Sequence, residues 1–448
     1  MLTLDGSTLE GGGQLVRVAL SLSSICSIPI RVTNIRANRS SKSTRPSSKT
    51  TSNNPRHGRG TSSVGGGLKE SHLAALNWLA EQCNADVHGN QVGCAEVMFK
   101  PSLKTACSRL ETVNPTDKAP DFIALEKPGS VWLIWQAIFP YIALRLTNPP
   151  QGFPSQPPQP FHITLMGGTN VPKSPSTEYM QQVFLPLCEQ IGLPKVDVRV
   201  IRRGWAGSAS EIGRVELTVH PSTQPEAHVS PDSAARLKSR HLLAPFFLSR
   251  RGSITNITMT IISGSPTTQT YLQSDLRTSL STRPIFSSVP ITIHPSSGLS
   301  GDERRLYVLL VAHTTDGHRL GRDYLGPGRK VTSDADRRRV VAEAVAHVVG
   351  DFTKECESNA SVDEFAEDQL VIFQALAAGV TNVEPRRVAQ ADQQGLLTRH
   401  PTDPGSKGGL GSQNRATGSL HTRTVRWVCE QMLGTEFDGH GGCKGIDT

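Results

Sequence analysis

A run of acidic and amide residues near the carboxyl end has the side chains that hold a polar, flat ligand. It reads Asp363-Glu-Phe-Ala-Glu-Asp-Gln369 and continues into an apolar stretch that predicts a helix over 365–377. In such a helix Phe365, Asp368 and Gln369 stand at i, i+3 and i+4, so a ring, a carboxylate and an amide share one face. A solvated acidic patch is the alternative interpretation.

A histidine with a helical pattern behind it follows after a long spacer. Val425, Val428, Cys429 and Met432 recur at helical spacing after His421, which predicts that His421 lies in the first turn, on the inward-facing side. The first turn of a helix presents free N–H groups and partial positive charge, which suits a phosphate beside the imidazole. A packed core histidine is the alternative.

A glycine run follows a short predicted strand at the amino end. The strand Leu2-Thr-Leu4 leads into Asp5-Gly-Ser-Thr-Leu-Glu-Gly-Gly-Gly-Gln14, and a helical pattern begins directly after it. Backbone can approach a ligand closely at such a junction, although the run matches neither a Walker loop nor Gly-x-Gly-x-x-Gly. Gln14 and Arg17 are three apart, so both could point at that ligand from one helical face. A flexible turn is the alternative.

Composition indicates a globular protein with an anionic partner. The 448 residues suffice for two domains, and the 36% hydrophobic content with 40 Gly and 30 Pro is typical of a soluble chain with loop-rich insertions. A formal charge of +8 favours RNA or a nucleotide as partner. We find no apolar window of about 18 residues and no signal-peptide pattern, so we expect an intracellular protein without a membrane partner. The eight cysteines are scattered, and Cys443 near His440 does not make a zinc site.

Arginines and a basic segment follow the second predicted strand. Residues 30–35 alternate like a strand and deliver Arg36 and Arg39 past its end. Residues 37–68 hold six Lys or Arg and no acid, a composition that cannot bury enough apolar surface to order itself. The segment could be a solvated insertion, could contact a phosphate backbone, or could be intron sequence read through in the gene.

The pattern of elements predicts an α/β fold built from repeated units. Two helices per small sheet recur across 1–100 and 101–200. A composition rich in Thr and Ser, with β-type alternation, predicts a smaller inserted domain over 251–326. Residues 1–250 and 327–448 then form the large domain. Gln136 is the one polar residue in the apolar run 131–139, so it is either satisfied structurally or placed for a ligand. Loose insertions are expected at 40–66, 149–160 and 386–418.

Taken together, these residues resemble the RNA 3′-terminal phosphate cyclase family. The matching pieces occur in the family's order from end to end of the chain, interrupted by the three insertions. They are Asp5-Gly-Ser7 with Glu10-Gly-Gly-Gly-Gln14 and Arg17, Ile35-Arg-Ala-Asn-Arg39, Gly67-Leu68 with His72-Leu73, Gly129-Ser130 with Gln136, Gly167-Gly-Thr-Asn170 with Pro175, Asp363 to Gln369 with Ala375-Leu-Ala-Ala-Gly379, and Leu420-His-Thr-Arg-Thr424.

The resemblance implies repeated two-helix, four-stranded units in a large domain and a smaller inserted α/β domain. It also implies a ligase-type enzyme that uses ATP and a divalent metal, Mg or Mn, to convert an RNA 3′-phosphate into a 2′,3′-cyclic phosphate. The nucleophilic histidine of the family falls on His421. Its adenylate pocket falls on Gln136, Pro175, Phe365, Asp368 and Gln369, and the residues expected near the substrate phosphates and RNA are Glu10, Gln14, Arg17, Arg36, Arg39 and His72.

The chemistry of these groups agrees with that reaction. A neutral imidazole can attack the α-phosphorus of ATP, with pyrophosphate leaving and AMP held on His421. Transfer of AMP to the RNA 3′-phosphate creates a good leaving group, which the neighbouring 2′-OH then displaces as AMP. Glu10 could bind the metal or orient an arginine.

The sequence departs from the family pattern at three places, and two rival functions are compatible with it. The family commonly has Gln where Ser71 stands, Tyr where Phe365 stands, and a Tyr-Pro-x-Gly-Gly-Gly turn where 204–210 lies. One rival is the related non-catalytic branch that acts in ribosomal RNA processing and small-subunit assembly, which lacks the nucleophilic histidine. The other is a degenerate cyclase that only binds nucleotide or RNA. Family and charge predict a nuclear location, nucleoplasmic for a cyclase and nucleolar for the assembly factor.

Overall fold

The computed structural model describes residues 1–38, 66–102, 121–147, 159–206, 212–221, 243–386 and 418–446. Arg39 lies outside these ranges, and so do almost all residues of the insertions expected at 40–66, 149–160 and 386–418.

The first unit is a four-stranded sheet covered by two helices. Its strands lie in the order β1-β2-β4-β3, with β1 and β2 parallel and the rest antiparallel. Alternation explains β2, where Ile30 and Val32 are buried and Arg31 is exposed. The elements are β1 (Leu2–Asp5), α1 (Gly13–Cys26), β2 (Ile30–Thr33), α2 (Glu70–Cys83), β3 (Asp86–His88) and β4 (Val97–Lys100).

The second unit repeats this arrangement, with strand order β5-β6-β8-β7. Its first helix is apolar on all sides, as a helix buried between neighbours must be. Its second helical segment contains a π-helical turn, Met180–Phe184. The elements are β5 (Asp121–Ala124), α3 (Val131–Thr147), β6 (Phe161–Gly167), α4 (Thr177–Tyr179), α5 (Leu185–Gln190), β7 (Val196–Arg202) and β8 (Gly213–Val219).

A third sheet begins at β9 (Phe247–Leu248), and the chain then forms a five-stranded sheet before returning to it. In this five-stranded sheet β10, β13 and β14 are antiparallel neighbours, and β11 and β12 pair with β10 in parallel. The elements are β10 (Ile254–Ser263), α6 (Pro266–Ser281), β11 (Ile291–Ile293), β12 (Gly298–Leu299), β13 (Tyr307–Thr314), β14 (Arg319–Leu325) and α7 (Asp334–Glu357).

The chain then completes the third sheet, whose order β9-β15-β17-β16 is the same as in the first two units. Its first helix is capped by Asp363, which accepts hydrogen bonds from the backbone N–H groups of Phe365 and Ala366. The remaining elements are α8 (Glu364–Ala375), β15 (Val380–Val383), α9 (Leu420–Leu433), β16 (Glu436–Phe437) and β17 (Gly442–Lys444).

Two apolar cores hold these elements together, and the predicted fold class is confirmed. One core runs through all three four-stranded units, where α1 packs against α3 and α9. The second lies between the five-stranded sheet and the helices α6 and α7. The boundary at 326 stays a prediction, and α7, which follows it, contributes Val341, Val348 and Phe352 to the second core. Within the described ranges no helix combines the length and apolarity needed to cross a bilayer.

Candidate active site

One cavity of about 890 Å³ lies where the helices of the three units meet, and we call it the main cavity. It brings together residues from nearly the full length of the chain. Every predicted site residue within the described ranges lines it, namely Glu10, Gln14, Arg17, Arg36, His72, Gln136, Pro175, Phe365, Asp368, Gln369 and His421.

His421 lies in the first turn of α9, as predicted. Ser419 caps this helix, and its hydroxyl accepts a hydrogen bond from the backbone N–H of Thr422 at 3.1 Å. The His421 side chain is 54% exposed at the cavity wall. Among the described residues Nδ1 has a hydrogen-bond partner and Nε2 has none. Nε2 is therefore the ring nitrogen that remains available, on a side chain that lines the main cavity at a helix N-terminus.

Gln14 connects His421 to Asp368. Its amide nitrogen donates to Asp368 Oδ2 at 2.6 Å, and its amide oxygen lies 2.6 Å from His421 Nδ1. An amide that donates to a carboxylate must direct its oxygen the other way, so Nδ1 carries the hydrogen of the neutral imidazole. This leaves the lone pair on Nε2, the ring nitrogen without a hydrogen-bond partner among the described residues.

Asp368, which is half-buried, is the far end of this chain of hydrogen bonds. Burial raises its pKa to about 7, against the opposing effects of the Gln14 hydrogen bond and the Arg17 charge. The same carboxyl is therefore close to half-ionised at neutral pH. Its protonation state decides whether Gln14 has an anionic acceptor to donate to.

The glycine run lets side chains crowd around the start of α1. A Cβ on Gly13 would come within 2.2 Å of His72 Nε2, and a Cβ on Gly12 would come within 2.1 Å of the Glu10 carboxylate. Glu10 Oε2 in turn lies 3.6 Å from His421 Nδ1. Because Gly12 and Gly13 have no side chain, Glu10 and His72 can lie against the start of α1 at the cavity.

His72 is a neutral hydrogen-bond donor. Burial, with the nearby positive charges of Arg17 and Arg36, lowers its pKa well below the ordinary value. Its Nδ1 accepts from the backbone N–H of Lys69 at 3.2 Å, so the hydrogen sits on Nε2. Nε2 is the atom that faces Gly13.

Among the described residues, four cationic side chains line the main cavity, namely Arg17, Arg36, Lys69 and Lys173. Arg17 is buried, and burial lowers its pKa to about 10 against the charges of Glu10 and Asp368. It stays protonated at neutral pH. The cavity therefore has fixed positive charge near His421, as a site for phosphate groups requires.

The face predicted on the acidic helix exists, and it forms one wall of the main cavity. Phe365 is 41% exposed there. The Gln369 amide nitrogen donates to the carbonyl of Phe365 at 2.6 Å, and its oxygen is buried without a partner among the described residues. Gln136 and Pro175 line the same cavity from the second unit. The wall therefore offers an aromatic surface to the cavity.

Comparison with known proteins decides the family. The model described as RNA 3′-terminal phosphate cyclase matches residues 8–438. The chain belongs to this family. It is 29% identical to the RNA 3′-terminal phosphate cyclase of Drosophila melanogaster over 464 residues, covering 100% of this chain and 97% of the relative. It is also 29% identical to that of Thermococcus onnurineus over 452 residues, covering 98% and 96% of the two chains. For Caldivirga maquilingensis the identity is 28% over 391 residues, covering 85% and 86%.

The departures from the pattern of the RNA 3′-terminal phosphate cyclase family lie at the cavity. Ser71 is buried in its wall, and Phe365 forms part of it. Ala206 also lines it, whereas 207–210, the rest of the divergent turn, lies outside the described residues. The differences therefore concern the site itself.

Sequence reasoning missed several cavity residues of this family member. Lys173 and Tyr179 line the cavity. Lys173 follows the Gly167-Gly turn and has a left-handed backbone with φ of 62°, so its position after a glycine-rich turn was the available signal. Asp323 also lines the cavity, from β14 of the five-stranded sheet. Only the packing of that sheet against the second unit brings it there.

The donor set fits a metal that arrives with phosphate groups. The described residues contain no cluster of three or more His, Cys, Asp or Glu side chains suited to a metal. Glu10 supplies one carboxylate beside His421. Mg²⁺ is commonly held by one or two carboxylates together with substrate phosphates and water, so Glu10 suits that arrangement.

Proposed function

We propose that this chain is an ATP-dependent RNA 3′-terminal phosphate cyclase that works through an AMP adduct of His421. The observation that carries the proposal is the hydrogen-bonded chain from Asp368 through Gln14 to His421 Nδ1, which leaves Nε2 as the nucleophile at a cationic cavity. Membership of the family and the names of its relatives support the choice of reaction.

The first step is attack of His421 Nε2 on the α-phosphorus of ATP, which forms a P–N bond and releases pyrophosphate. Arg17 and the other cations of the cavity stabilise the charge that develops on the phosphate oxygens. Phe365 and Pro175 provide apolar surface for the base, and Gln136 and Gln369 line the cavity beside them.

The second step transfers AMP to the RNA. An oxygen of the 3′-phosphate attacks the phosphorus held by His421, the P–N bond breaks and the neutral ring is restored. The 2′-OH then attacks the 3′-phosphorus, AMP leaves and the 2′,3′-cyclic phosphate remains. Arg36 and the Nε2–H of His72, both at the cavity, suit the RNA phosphate.

A divalent metal held by Glu10 and the ATP phosphates would add charge neutralisation to the first step. The cavity residues named above orient ATP and the RNA end for reaction. A nuclear location is part of the same proposal, and the net charge of +8 and the family support it.

The test is incubation with α-labelled ATP and Mg²⁺. We expect an acid-labile, alkali-stable adenylate on the wild type and none on His421→Ala. His88→Ala is the matched control, because His88 lies on β3 with its side chain 68% exposed and does not line the main cavity. It should be labelled like the wild type.

Two outcomes would overturn the proposal: no label on the wild type, or equal label on His421→Ala. If RNA and ATP still bound to an unlabelled wild type, the protein would be a binding factor. A second substrate arm uses RNA ending in a 3′-phosphate with and without the terminal 2′-OH. Only the first should give the cyclic product, because the 2′-oxygen forms the new bond.

A further inference from the structure

Arg322 lies against Phe365, the aromatic residue of the proposed base pocket. The central carbon of its guanidinium is 4.4 Å from the centroid of the Phe365 ring, within the range of a cation–π contact. Arg322 is on β14 of the five-stranded sheet, whereas Phe365 is on α8 of the third unit. The five-stranded sheet therefore supports, through Arg322, a residue of the wall of the main cavity.

Carboxylates hold the Arg322 guanidinium in place. The same nitrogen donates to Glu355 and, at 2.9 Å, to Glu364. The side chain is only 7% exposed. Burial acts to lower the pKa of Arg322, but the charges of Glu355, Asp363 and Glu364 outweigh it, so its pKa lies above the ordinary value. Arg322 is thus a permanent cation held by two carboxylates.

Phe365 has a second fixed neighbour. The Tyr179 ring meets it edge to face, with centroids 5.8 Å apart and an angle of 85°. The Tyr179 hydroxyl donates to Asp363, the cap of α8, at 2.6 Å, which fixes this ring as well. Phe365 stays partly exposed and lines the cavity, which Gln136 and Pro175 of the second unit also line.

An exposed phenylalanine ring in water ordinarily samples several side-chain rotamers, and binding a ligand on it costs the entropy of stopping that motion. Arg322 and Tyr179 restrain the Phe365 ring before a ligand arrives. A planar guanidinium is suited to this, because it stacks on an aromatic face while both carboxylates hold its edge.

We propose that Arg322 is a positioning residue for ATP, which fixes the Phe365 ring as a stacking surface for the adenine base. The inference rests on the proposed function, because it requires a nucleotide in the main cavity. It assigns to the five-stranded sheet a part in nucleotide affinity, and none in the chemistry at His421.

The experiment replaces Arg322 by lysine, which retains the positive charge beside Glu355 and Glu364 and removes the planar stack. The ATP dissociation constant is measured by equilibrium dialysis in the His421→Ala background, where no adduct forms. The rate constant of adenylylation at saturating ATP is measured separately with His421 intact. We expect R322K to raise the dissociation constant about tenfold, equivalent to about 1.4 kcal/mol, with the saturated rate constant within about twofold of the wild type.

Two further variants make the test specific. Arg338 stacks on Tyr271 at 4.3 Å and forms an ion pair with Asp334, away from the main cavity. R338K therefore removes a similar arginine–aromatic stack elsewhere in the protein, and it should leave ATP affinity unchanged. In a Phe365→Ala background R322K should cause no further loss, since Arg322 acts through that ring.

Equal ATP affinity of R322K and the wild type would overturn the inference, and so would an undiminished effect of R322K in the Phe365→Ala background. Absence of label on the wild type, with ATP binding still sensitive to R322K, would instead reject the proposed function alone. Thermal melting of each variant identifies any that fails to fold, and R322K retains the ion pairs that a neutral substitution would break.

Discussion

Replacing Gln14 by methionine is the perturbation that tests the arrangement around His421 most directly. Methionine has nearly the same length and retains the packing of a residue that is 5% exposed. It removes both hydrogen bonds of the amide, the one to Asp368 and the one to His421 Nδ1. Without them, nothing in the Gln14 position favours the tautomer that has its lone pair on Nε2.

The magnitude follows from these two contacts. A hydrogen bond that involves a charged partner contributes about 1.5–3 kcal/mol. Both contacts are 2.6 Å long and depend on one amide, so they are lost together. If that free energy stabilises the tautomer of His421 that has its lone pair on Nε2, the adenylylation rate of Gln14→Met should be about 10- to 150-fold lower than that of the wild type. Each 1.36 kcal/mol corresponds to a factor of ten. ATP affinity should change less than the rate.

The assay is single-turnover formation of the labelled protein from α-labelled ATP, with the rate constant determined at saturating ATP. Gln182→Met is the matched control, because Gln182 is also buried and bonded at both ends of its amide, to Thr260, but does not line the main cavity. An unchanged rate for Gln14→Met, or an equal loss for both variants, would refute the role assigned to Gln14.

Three further outcomes are expected. The adenylylation rate of the wild type should rise with pH through about 7, as Asp368 ionises beside Arg17 and Glu367, and Asp368→Asn should remove that limb of the pH–rate profile. Folding raises the Asp368 pKa from 3.8 to about 7, so the ionised carboxylate destabilises the folded protein progressively as pH rises between those values. The free energy of unfolding of Asp368→Asn, relative to that of the wild type, should therefore be up to about 4 kcal/mol higher at pH 8 than at pH 4, as measured by denaturant titration. Gly13→Ala should lower the adenylylation rate about 100-fold by displacing His72 and Arg17, whereas Gly350→Ala, whose Cβ would meet nothing within 4 Å, should stabilise α7 by about 0.5–1 kcal/mol.

Much of the fold could be predicted because its elements have clear periodicities. The helix expected over 365–377 is observed as Glu364–Ala375, and the acidic run supplies its own cap in Asp363. The texture change near 251 marks the start of the five-stranded sheet. The place of α7 was not predictable in this way, since its apolar stripe fits any apolar surface. Its packing on the second core depends on which surface the chain brings to it.

The sequence predicted which residues form the candidate site but not how they are arranged in space. The resemblance assigned Gln14 to the substrate phosphates and RNA, a role that stays a prediction. The structure finds its amide between Asp368 and His421. Arg322 gave no signal in the sequence, because a charged residue in a predicted strand ordinarily faces solvent, and its burial depends on Glu355 and Glu364 being brought to it.

The sequence by itself determined the chemical groups and the local face on which each one stands, because hydrophobic spacing within one helix or strand depends only on neighbouring residues. It therefore identified the first-turn position of His421 and the shared face of Phe365, Asp368 and Gln369. Only the tertiary structure decided which faces meet. Gln14 reaches a histidine 407 positions away and a carboxylate 354 positions away. Such contacts are set by the packing of three units on one core, and no local pattern encodes them.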